Sequence, residues 1–90
     1  MTNVQENKKK FVENELEALL KAAYSYDRKI VRVYYVYDEE RDCETVNVEL
    51  EPLKDIALDK MVGRTIRIDV TGDSLSALTS DVVGSMNRHY

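Results

Sequence analysis

The chain has 90 residues, of which 43% are hydrophobic and 33% are charged, with one cysteine, one proline and three glycines. This composition predicts one globular domain with a single core, and it excludes a low-complexity chain, an intramolecular disulfide and a multi-cysteine zinc site. No apolar run reaches the about 18 residues of a membrane span, and the N-terminus lacks the apolar segment of a signal peptide, so we expect a cytoplasmic protein.

The net charge of −4 is unevenly distributed along the chain. Residues 1–37 carry seven Lys or Arg against five Asp or Glu, residues 38–59 carry two against nine, and residues 60–90 carry four against three. Because phosphate backbones are bound through clustered Lys and Arg, we expect no direct binding to nucleic acid. A basic protein is the more natural partner for the acidic middle segment.

The first predicted element is an amphipathic helix from about Gln5 to Tyr26, because apolar residues recur there at helical spacing. Its buried stripe is expected to contain Val12, Leu16, Leu19, Ala23 and Tyr26.

Two strands follow and are predicted to form a hairpin. In "IVRVYYVY", residues 30–37, alternation directs one set of side chains toward the core, namely Val31, Val33, Tyr35 and Tyr37. The opposite face carries Ile30, Arg32, Tyr34 and Val36. After the polar turn "DEERDC", the segment "ETVNVEL" is expected to direct Val46, Val48 and Leu50 inward and Thr45, Asn47 and Glu49 outward.

Pro52 is predicted to end the second strand, since proline cannot donate a ladder hydrogen bond. "LKDIALDKM", residues 53–61, is then expected to form a short connecting helix with one apolar side, made of Leu53, Ile56, Ala57 and Met61. "GRTIRIDV", residues 63–70, predicts a third strand with Ile66, Ile68 and Val70 inward. "DSLSALTSDVVGSM", residues 73–86, predicts a last helix with a buried stripe of Leu75, Leu78, Val82 and Met86.

The resulting order α-β-β-β-α predicts a single α+β domain over residues 1–90. Two amphipathic helices and three alternating strands share one core when a three-stranded antiparallel sheet carries both helices on one face. The residues expected in that core are Leu16, Leu19, Val33, Val48, Ile68, Leu78 and Val82.

The stretch "IRIDVTGDSLSALTSDVV", residues 66–83, runs from a strand through a glycine turn into a helix, the order in which many phosphate cradles are built. A cradle usually has several glycines and a lysine, whereas Gly72 is alone and Asp73 follows it. We therefore interpret Asp73 or Ser74 as a helix N-cap that holds no ligand. A small-molecule or nucleotide site at the Gly72 turn is the alternative.

The sequence predicts no enzymatic activity, no catalytic residue, no metal site and no cofactor. Cys43 and His89 are each the only residue of their kind, and neither is expected to lie in the rigid setting that a nucleophile and its base need. The carboxylates of residues 38–44 lack the glycine and the ligand spacing of an EF-hand loop.

Two features are candidate partner-binding residues. The first is the acidic turn, with Asp38, Glu39, Glu40, Asp42 and Glu44, which would attract a basic protein surface. The second is an apolar row of Ile30, Tyr34 and Val36 on the open face of the sheet, rimmed by Arg32, Glu49, Arg67 and Asp69. The alternative for the acidic turn is that its charges only keep the protein in solution. The alternatives for the apolar row are an ordinary mixed sheet face, or burial of the row between two copies in a weak homodimer.

Three resemblances accompany this pattern. The order α-β-β-β-α resembles that of double-stranded RNA-binding domains, which implies fold order alone, because their basic cluster is replaced here by "TGDSLSALTSD". In size, acidity and element order the chain also resembles anti-CRISPR proteins of phages, which occupy a nucleic-acid or partner site on a nuclease. "TGDSLSAL" followed by "DVV" is similar to small uncharacterised proteins of Firmicutes and their mobile elements, a resemblance that implies no activity.

From these features we expect a small acidic regulator or inhibitor of phage or mobile-element origin. It would bind a basic partner that handles nucleic acid, such as a nuclease, without contact with a membrane. The alternatives are the ligand site at the Gly72 turn and a structural homo-oligomer that buries its sheet face.

Overall fold

The computed structural model describes residues 1–24, 29–55 and 60–89, with residues 52–55, 60–63 and 89 described by their backbone alone. A three-stranded antiparallel sheet and two helices follow one another in the order α-β-β-β-α, so the predicted α+β fold is confirmed. The N-terminal helix comprises α1, a π-helical segment and α2, and the C-terminal helix is α3. Their bounds, with those of the strands, are α1 Asn3–Lys10, π segment Phe11–Leu16, α2 Glu17–Ala23, β1 Ile30–Asp38, β2 Cys43–Asp55, β3 Lys60–Asp69 and α3 Leu75–His89.

The N-terminal helix begins at Asn3, two residues earlier than predicted, because a capping box precedes it. The amide of Gln5 donates to the hydroxyl of Thr2 at 3.2 Å, and the amide of Thr2 donates to the side-chain oxygen of Gln5 at 2.9 Å. This reciprocal pair satisfies two amides that have no partner inside the helix. Helical structure ends at Ala23, and the predicted end at Tyr26 lies outside the described residues.

The π segment changes which residues of the N-terminal helix face the core. In it the amide of Glu17 donates to the carbonyl of Val12, five residues earlier, and this wider turn moves the buried stripe to a spacing of four. The buried residues are accordingly Lys8, Val12, Leu16 and Leu20. The predictions of Leu19 and Ala23 as core residues were wrong: both are exposed, and Leu19 is 53% exposed where Leu20 is 0% exposed.

The strands pair in the order β1-β2-β3, with β2 in the centre. Between the pairs Ile30↔Leu50 and Arg32↔Glu49, β1 advances two residues while β2 advances one, so β1 contains a β-bulge at Val31. The bulge reverses the predicted orientation at this end of β1: Ile30 is 6% exposed and belongs to the core, whereas Val31 is 49% exposed. Beyond the bulge the predicted alternation holds, and Val33 and Tyr35 are buried.

A second bulge explains why Pro52 does not end β2. Between the pairs Leu50↔Arg64 and Leu53↔Val62, β2 advances three residues while β3 advances two. Pro52 therefore lies at a place where the ladder is already irregular, and strands tolerate proline there. The prediction of a short helix over residues 53–61 was wrong, because residues up to Asp55 extend β2 and residues from Lys60 begin β3. Its predicted residues Ile56 and Ala57 lie outside the described residues.

The core lies between one face of the sheet and the two helices. The inward residues of β2 and the third strand are those that alternation predicts, and Val70, just after β3, is buried with them. From α3, Leu78, Val82 and Met86 are buried, whereas Leu75 is 43% exposed at the start of the helix. The buried hydrophobic residues form one cluster that joins every helix and strand, namely Val12, Leu16, Leu20, Ile30, Val33, Tyr35, Val46, Val48, Leu50, Ile66, Ile68, Val70, Leu78, Val82 and Met86.

The N-terminal helix also closes the free edge of β1. The amides of Val33 and Tyr35 point away from β2, and they donate to the carboxylates of Glu17 at 3.1 Å and Glu13 at 3.3 Å. Unpaired edge amides are templates for pairing with another chain, and side chains that occupy them prevent it. Helix position and edge protection are therefore provided by the same two glutamates.

The consequence of the π segment can be tested on two neighbouring leucines. Leu20→Ala removes a fully buried side chain and should lower the free energy of unfolding by about 2 to 5 kcal/mol. Leu19→Ala changes the same number of atoms on an exposed side chain and should alter stability by no more than about 0.5 kcal/mol. Urea unfolding followed by circular dichroism measures both values, and equal losses would contradict the placement of the π segment.

Candidate interaction surface

The acidic turn between β1 and β2 contains two kinds of carboxylate. Asp38 Oδ1 accepts hydrogen bonds from the amides of Glu40 at 3.1 Å and Arg41 at 3.3 Å, which fixes the course of the chain. Asp42 has a left-handed backbone, with φ of 51°. Its Oδ1 accepts a hydrogen bond from the hydroxyl of Tyr37 at 2.7 Å. That hydrogen bond raises the pKa of Tyr37 above its usual value, since the carboxylate stabilises the protonated hydroxyl.

Glu39 and Glu40 lie at the tip of this turn and are exposed. Within residues 1–24, 29–55 and 60–89, no hydrogen bond or ion pair involves either side-chain carboxylate. The two aspartates thus build the turn, and the two glutamates present its negative charge to solvent. Two charges at one tip act over a Debye length of about 8 Å at physiological salt.

The face of the sheet opposite the helices is the second part of the candidate surface. Tyr34 and Val36 lie on it, with Val36 being 41% exposed. Ile30, the third member of the predicted apolar row, is not on this face, because the bulge at Val31 turns it into the core. The apolar row is therefore shorter than predicted.

Charged side chains border Tyr34 on this face. The Arg32 guanidinium lies 4.2 Å from the centre of the Tyr34 ring and donates to the Glu49 carboxylate at 2.6 Å. Its pKa is raised by that hydrogen bond and by the negative charge of Glu49. On the other side, Nε of Arg67 donates to Oδ1 of Asn47 at 3.3 Å. A cation above an aromatic ring, with paired charges around it, resembles the centre and rim of protein interfaces.

A groove of about 530 Å³ joins the open face to the acidic turn. Tyr34, Val36 and Cys43 line it together with two residues of each charge, Asp38, Arg41, Arg67 and Asp69. The groove is thus lined by three of the predicted partner-binding residues, Tyr34, Val36 and Asp38, and Glu39 and Glu40 follow Asp38 in the adjoining turn. We define the open surface as this groove with Tyr34 and Val36, together with Glu39 and Glu40 of the adjoining turn.

Glu44, the remaining predicted partner-binding residue, lies elsewhere, and its prediction as a surface residue was wrong. It is 5% exposed and binds Lys8, itself 4% exposed, through Nζ at 2.9 Å and 3.1 Å from its two carboxylate oxygens. The hydroxyl of Tyr35 donates to Oε1 at 2.5 Å, and the amide of Gly72 donates to Oε2 at 2.9 Å. We call these four residues the Glu44 network.

The ionisation of Glu44 follows from these contacts. Burial by itself would raise the pKa of the carboxyl, but hydrogen bonds from Tyr35, the Gly72 amide and Lys8 outweigh it and hold the pKa below its usual value. Burial and the hydrogen bond to Glu44 raise the pKa of the Tyr35 hydroxyl, which stays protonated as the donor. The network therefore holds a charged lysine and a charged carboxylate within the fold.

The Glu44 network also bears on the turn that resembles a phosphate cradle. Gly72 has a φ of 75°, as the turn requires, and its backbone amide donates to the carboxylate of Glu44. The predicted cap is confirmed at Ser74, whose hydroxyl accepts the amide of Ala77 at 3.1 Å. Asp73 lies near Asp81, and this neighbouring carboxyl, together with partial burial, raises the pKa of Asp73.

Cys43 and His89 are the remaining candidate groups for catalysis or metal binding. Cys43 is half-buried beside the groove, with Sγ 3.3 Å from the carbonyl of Arg41, and the side chain of His89 lies outside the described residues. In the part of the chain that the structure describes, no group of three or more His, Cys, Asp or Glu side chains is arranged to hold a metal ion. None of the described helices has the length and apolar character needed to cross a membrane.

Comparison with protein-family models, curated proteins and solved structures found no match to this chain.

Sequence reasoning missed the Glu44 network although its pattern was visible. Glu44 has the same strand parity as Val46 and Val48, which places it on the core face. Lys8 lies four residues before Val12, in step with the stripe that the π segment produces. A buried charge needs a partner, so an inward glutamate and an inward lysine would have predicted each other.

Removal of the Glu44 carboxylate should cost more than the sum of its hydrogen bonds suggests. Glu44→Gln leaves Lys8 buried without an anion and should lower the free energy of unfolding by about 3 to 5 kcal/mol. Adding Lys8→Met removes the unpaired cation. The loss of unfolding free energy in the double variant should therefore be smaller than the sum of the losses in the two single variants, by a coupling energy of about 0.5 to 3 kcal/mol. Strictly additive losses in urea unfolding would show that the two residues do not form a pair.

The pH dependence of stability should carry the signature of Glu44. Because its pKa is lower in the folded chain than in the unfolded chain, its contribution is complete above the unfolded value of about 4.3 and is lost as the pH falls through the folded value. Unfolding free energies measured from pH 7 to pH 3 should therefore fall more steeply for the native chain than for Glu44→Gln. Parallel curves would contradict the lowered pKa.

Proposed function

We propose that this protein is a small acidic regulator or inhibitor that binds a basic, nucleic-acid-handling protein such as a nuclease, and that it has no catalytic activity of its own. A cytoplasmic setting and a phage or mobile-element origin belong to the same proposal. The observation that carries it is the open surface, in which Asp38, at the base of the turn that bears the exposed Glu39 and Glu40, lines one groove with Tyr34 and Val36.

The charges of the open surface support a basic partner. The carboxylates of Glu39 and Glu40 have no neutralising partner among the described residues, so their field extends into solvent. Such a field raises the rate at which a positively charged surface is met, and it repels phosphate backbones. This favours a basic protein over nucleic acid.

The apolar part of the open surface supports protein binding over mere solubility. Tyr34 and Val36 offer aromatic and β-branched area beside paired charges, and interface centres are enriched in tyrosine and arginine. The order of events would be electrostatic attraction by the turn, followed by contact of the partner with Tyr34.

The Gly72 turn receives no such support. Its backbone amide donates to Glu44, and Asp73 adds a carboxyl next to it, so a nucleotide phosphate would compete with a carboxylate of the chain itself. We therefore do not propose the turn as a ligand site.

The proposal is tested by reversing the two charges that have no structural role. Glu39→Lys with Glu40→Lys should reduce the association rate with a basic partner by about tenfold or more, since steering depends on this local field. The native chain is immobilised as bait and exposed to the heparin-binding fraction of a Firmicutes lysate, which concentrates basic nucleic-acid-handling proteins. The association rate of each captured protein is then measured by surface plasmon resonance at several salt concentrations.

The matched control is Glu15→Lys with Glu51→Lys, which makes the same change in net charge at two exposed positions away from the turn. It should leave the association rate nearly unchanged. Equal losses in the two variants, binding that does not weaken with salt, or binding of the native chain to free DNA or RNA would each overturn the proposal.

A further inference from the structure

The two edges of the sheet differ in what their backbone amides contact. At the β1 edge, Val33 and Tyr35 donate to carboxylates of the N-terminal helix. The strand at the other edge is β3. The residue that follows it shows which amides of this strand point toward β2. The amide of Val70 donates to the carbonyl of Glu44 at 2.9 Å, toward β2.

Backbone groups alternate in direction along an antiparallel strand. The amides of Ile66 and Ile68 therefore point toward β2 like that of Val70, and those of Thr65, Arg67 and Asp69 point away from the sheet. Among the described residues, no acceptor is present for these three outward amides, and the three residues are exposed. The β3 edge thus lacks the protection that the β1 edge has.

The side chains along the β3 edge are complementary to themselves. When two copies of β3 run antiparallel with Ile68 opposite itself, Arg67 of each copy lies opposite Asp69 of the other. Each of these side chains has a group left for this contact. Arg67 uses only Nε in its hydrogen bond to Asn47, and Asp69 uses only Oδ1 to accept from Thr71. The lowered pKa of Asp69, held down by its hydrogen bonds from Thr71, keeps the carboxyl ionised.

We propose that β3 binds β3 of a second copy of this chain in that register, so that one continuous sheet passes through both copies. Two-fold symmetry requires a surface that is complementary to itself, and the Arg67 and Asp69 pattern meets that requirement. This inference does not depend on the proposed function, because it rests on the backbone edge of β3, and it shares with the open surface only Arg67 and Asp69, which line one side of the groove.

The expected association is weak, since pairing of one short strand segment buries less than the roughly 1,000 Å² of a stable interface. Sedimentation equilibrium at concentrations up to about 1 mM should therefore show dimer formation by the native chain. Arg67→Asp places like charges opposite each other and should abolish the dimer. Arg67→Asp with Asp69→Arg restores opposite charges and should recover it.

The matched control is Arg64→Asp, which makes the same charge change on β3 at a position before the three outward amides. This variant should leave the dimer intact. The proposal is overturned if the native chain stays monomeric at the highest concentration, if Arg67→Asp still dimerises, or if Arg64→Asp weakens the dimer as strongly as Arg67→Asp.

A second measurement needs no variant and reports the edge directly. Amide hydrogen exchange of Arg67 and Asp69 should slow as the concentration of the native chain rises, because these amides become hydrogen-bonded in the dimer. Exchange at Val33 and Tyr35 should not depend on concentration, because their acceptors are within the chain. If the amides of Val33 and Tyr35 instead became protected as the concentration rises, the interface would lie at the β1 edge, and the proposal would be overturned.

Discussion

The buried carboxylate of Glu44 is the contact on which the arrangement of this fold depends. Its two oxygens accept hydrogen bonds from α1 through Lys8, from β1 through Tyr35 and from the turn before α3 through the Gly72 amide. Burial of two charges is costly, and it is tolerated only when every remaining polar group has a partner. The network meets that condition, so it fixes both helices relative to the sheet, and it occupies the Gly72 amide in the turn before α3.

A small sheet has two edges to protect, and this chain treats them differently. Glu13 and Glu17 project from the N-terminal helix and occupy the outward amides of β1, so this edge is closed to any other strand. The third strand has no comparable cover in the described residues, and its alternating charges match those of its own copy. The same physical demand, a partner for each backbone amide, is thus met within the chain at one edge and by association at the other.

In the proposed function, one acidic turn serves both structure and recognition. Asp38 and Asp42 accept hydrogen bonds that shape the turn, and this leaves Glu39 and Glu40 as its exposed charges. Since no hydrogen bond or ion pair of the described residues involves their carboxylates, these two residues would attract a partner at little cost to stability. The groove beside Tyr34 then supplies the apolar contact that attraction by itself would lack.

The sequence by itself determined the element order, the antiparallel sheet and most of the core, because alternation and helical spacing are local properties that survive packing. It also limited the cap of α3 to Asp73 or Ser74, and it placed the acidic turn, apart from Glu44, at the surface. Only the tertiary structure decided the exceptions. Local periodicity contains no signal for an inserted residue, so the π segment that buries Leu20 and the bulge that buries Ile30 escaped it. Glu44 was misplaced although its strand parity with Val46 and Val48 points inward. A carboxylate is buried only with a partner, and the choice of Lys8, 36 residues away, was decided by the folded chain.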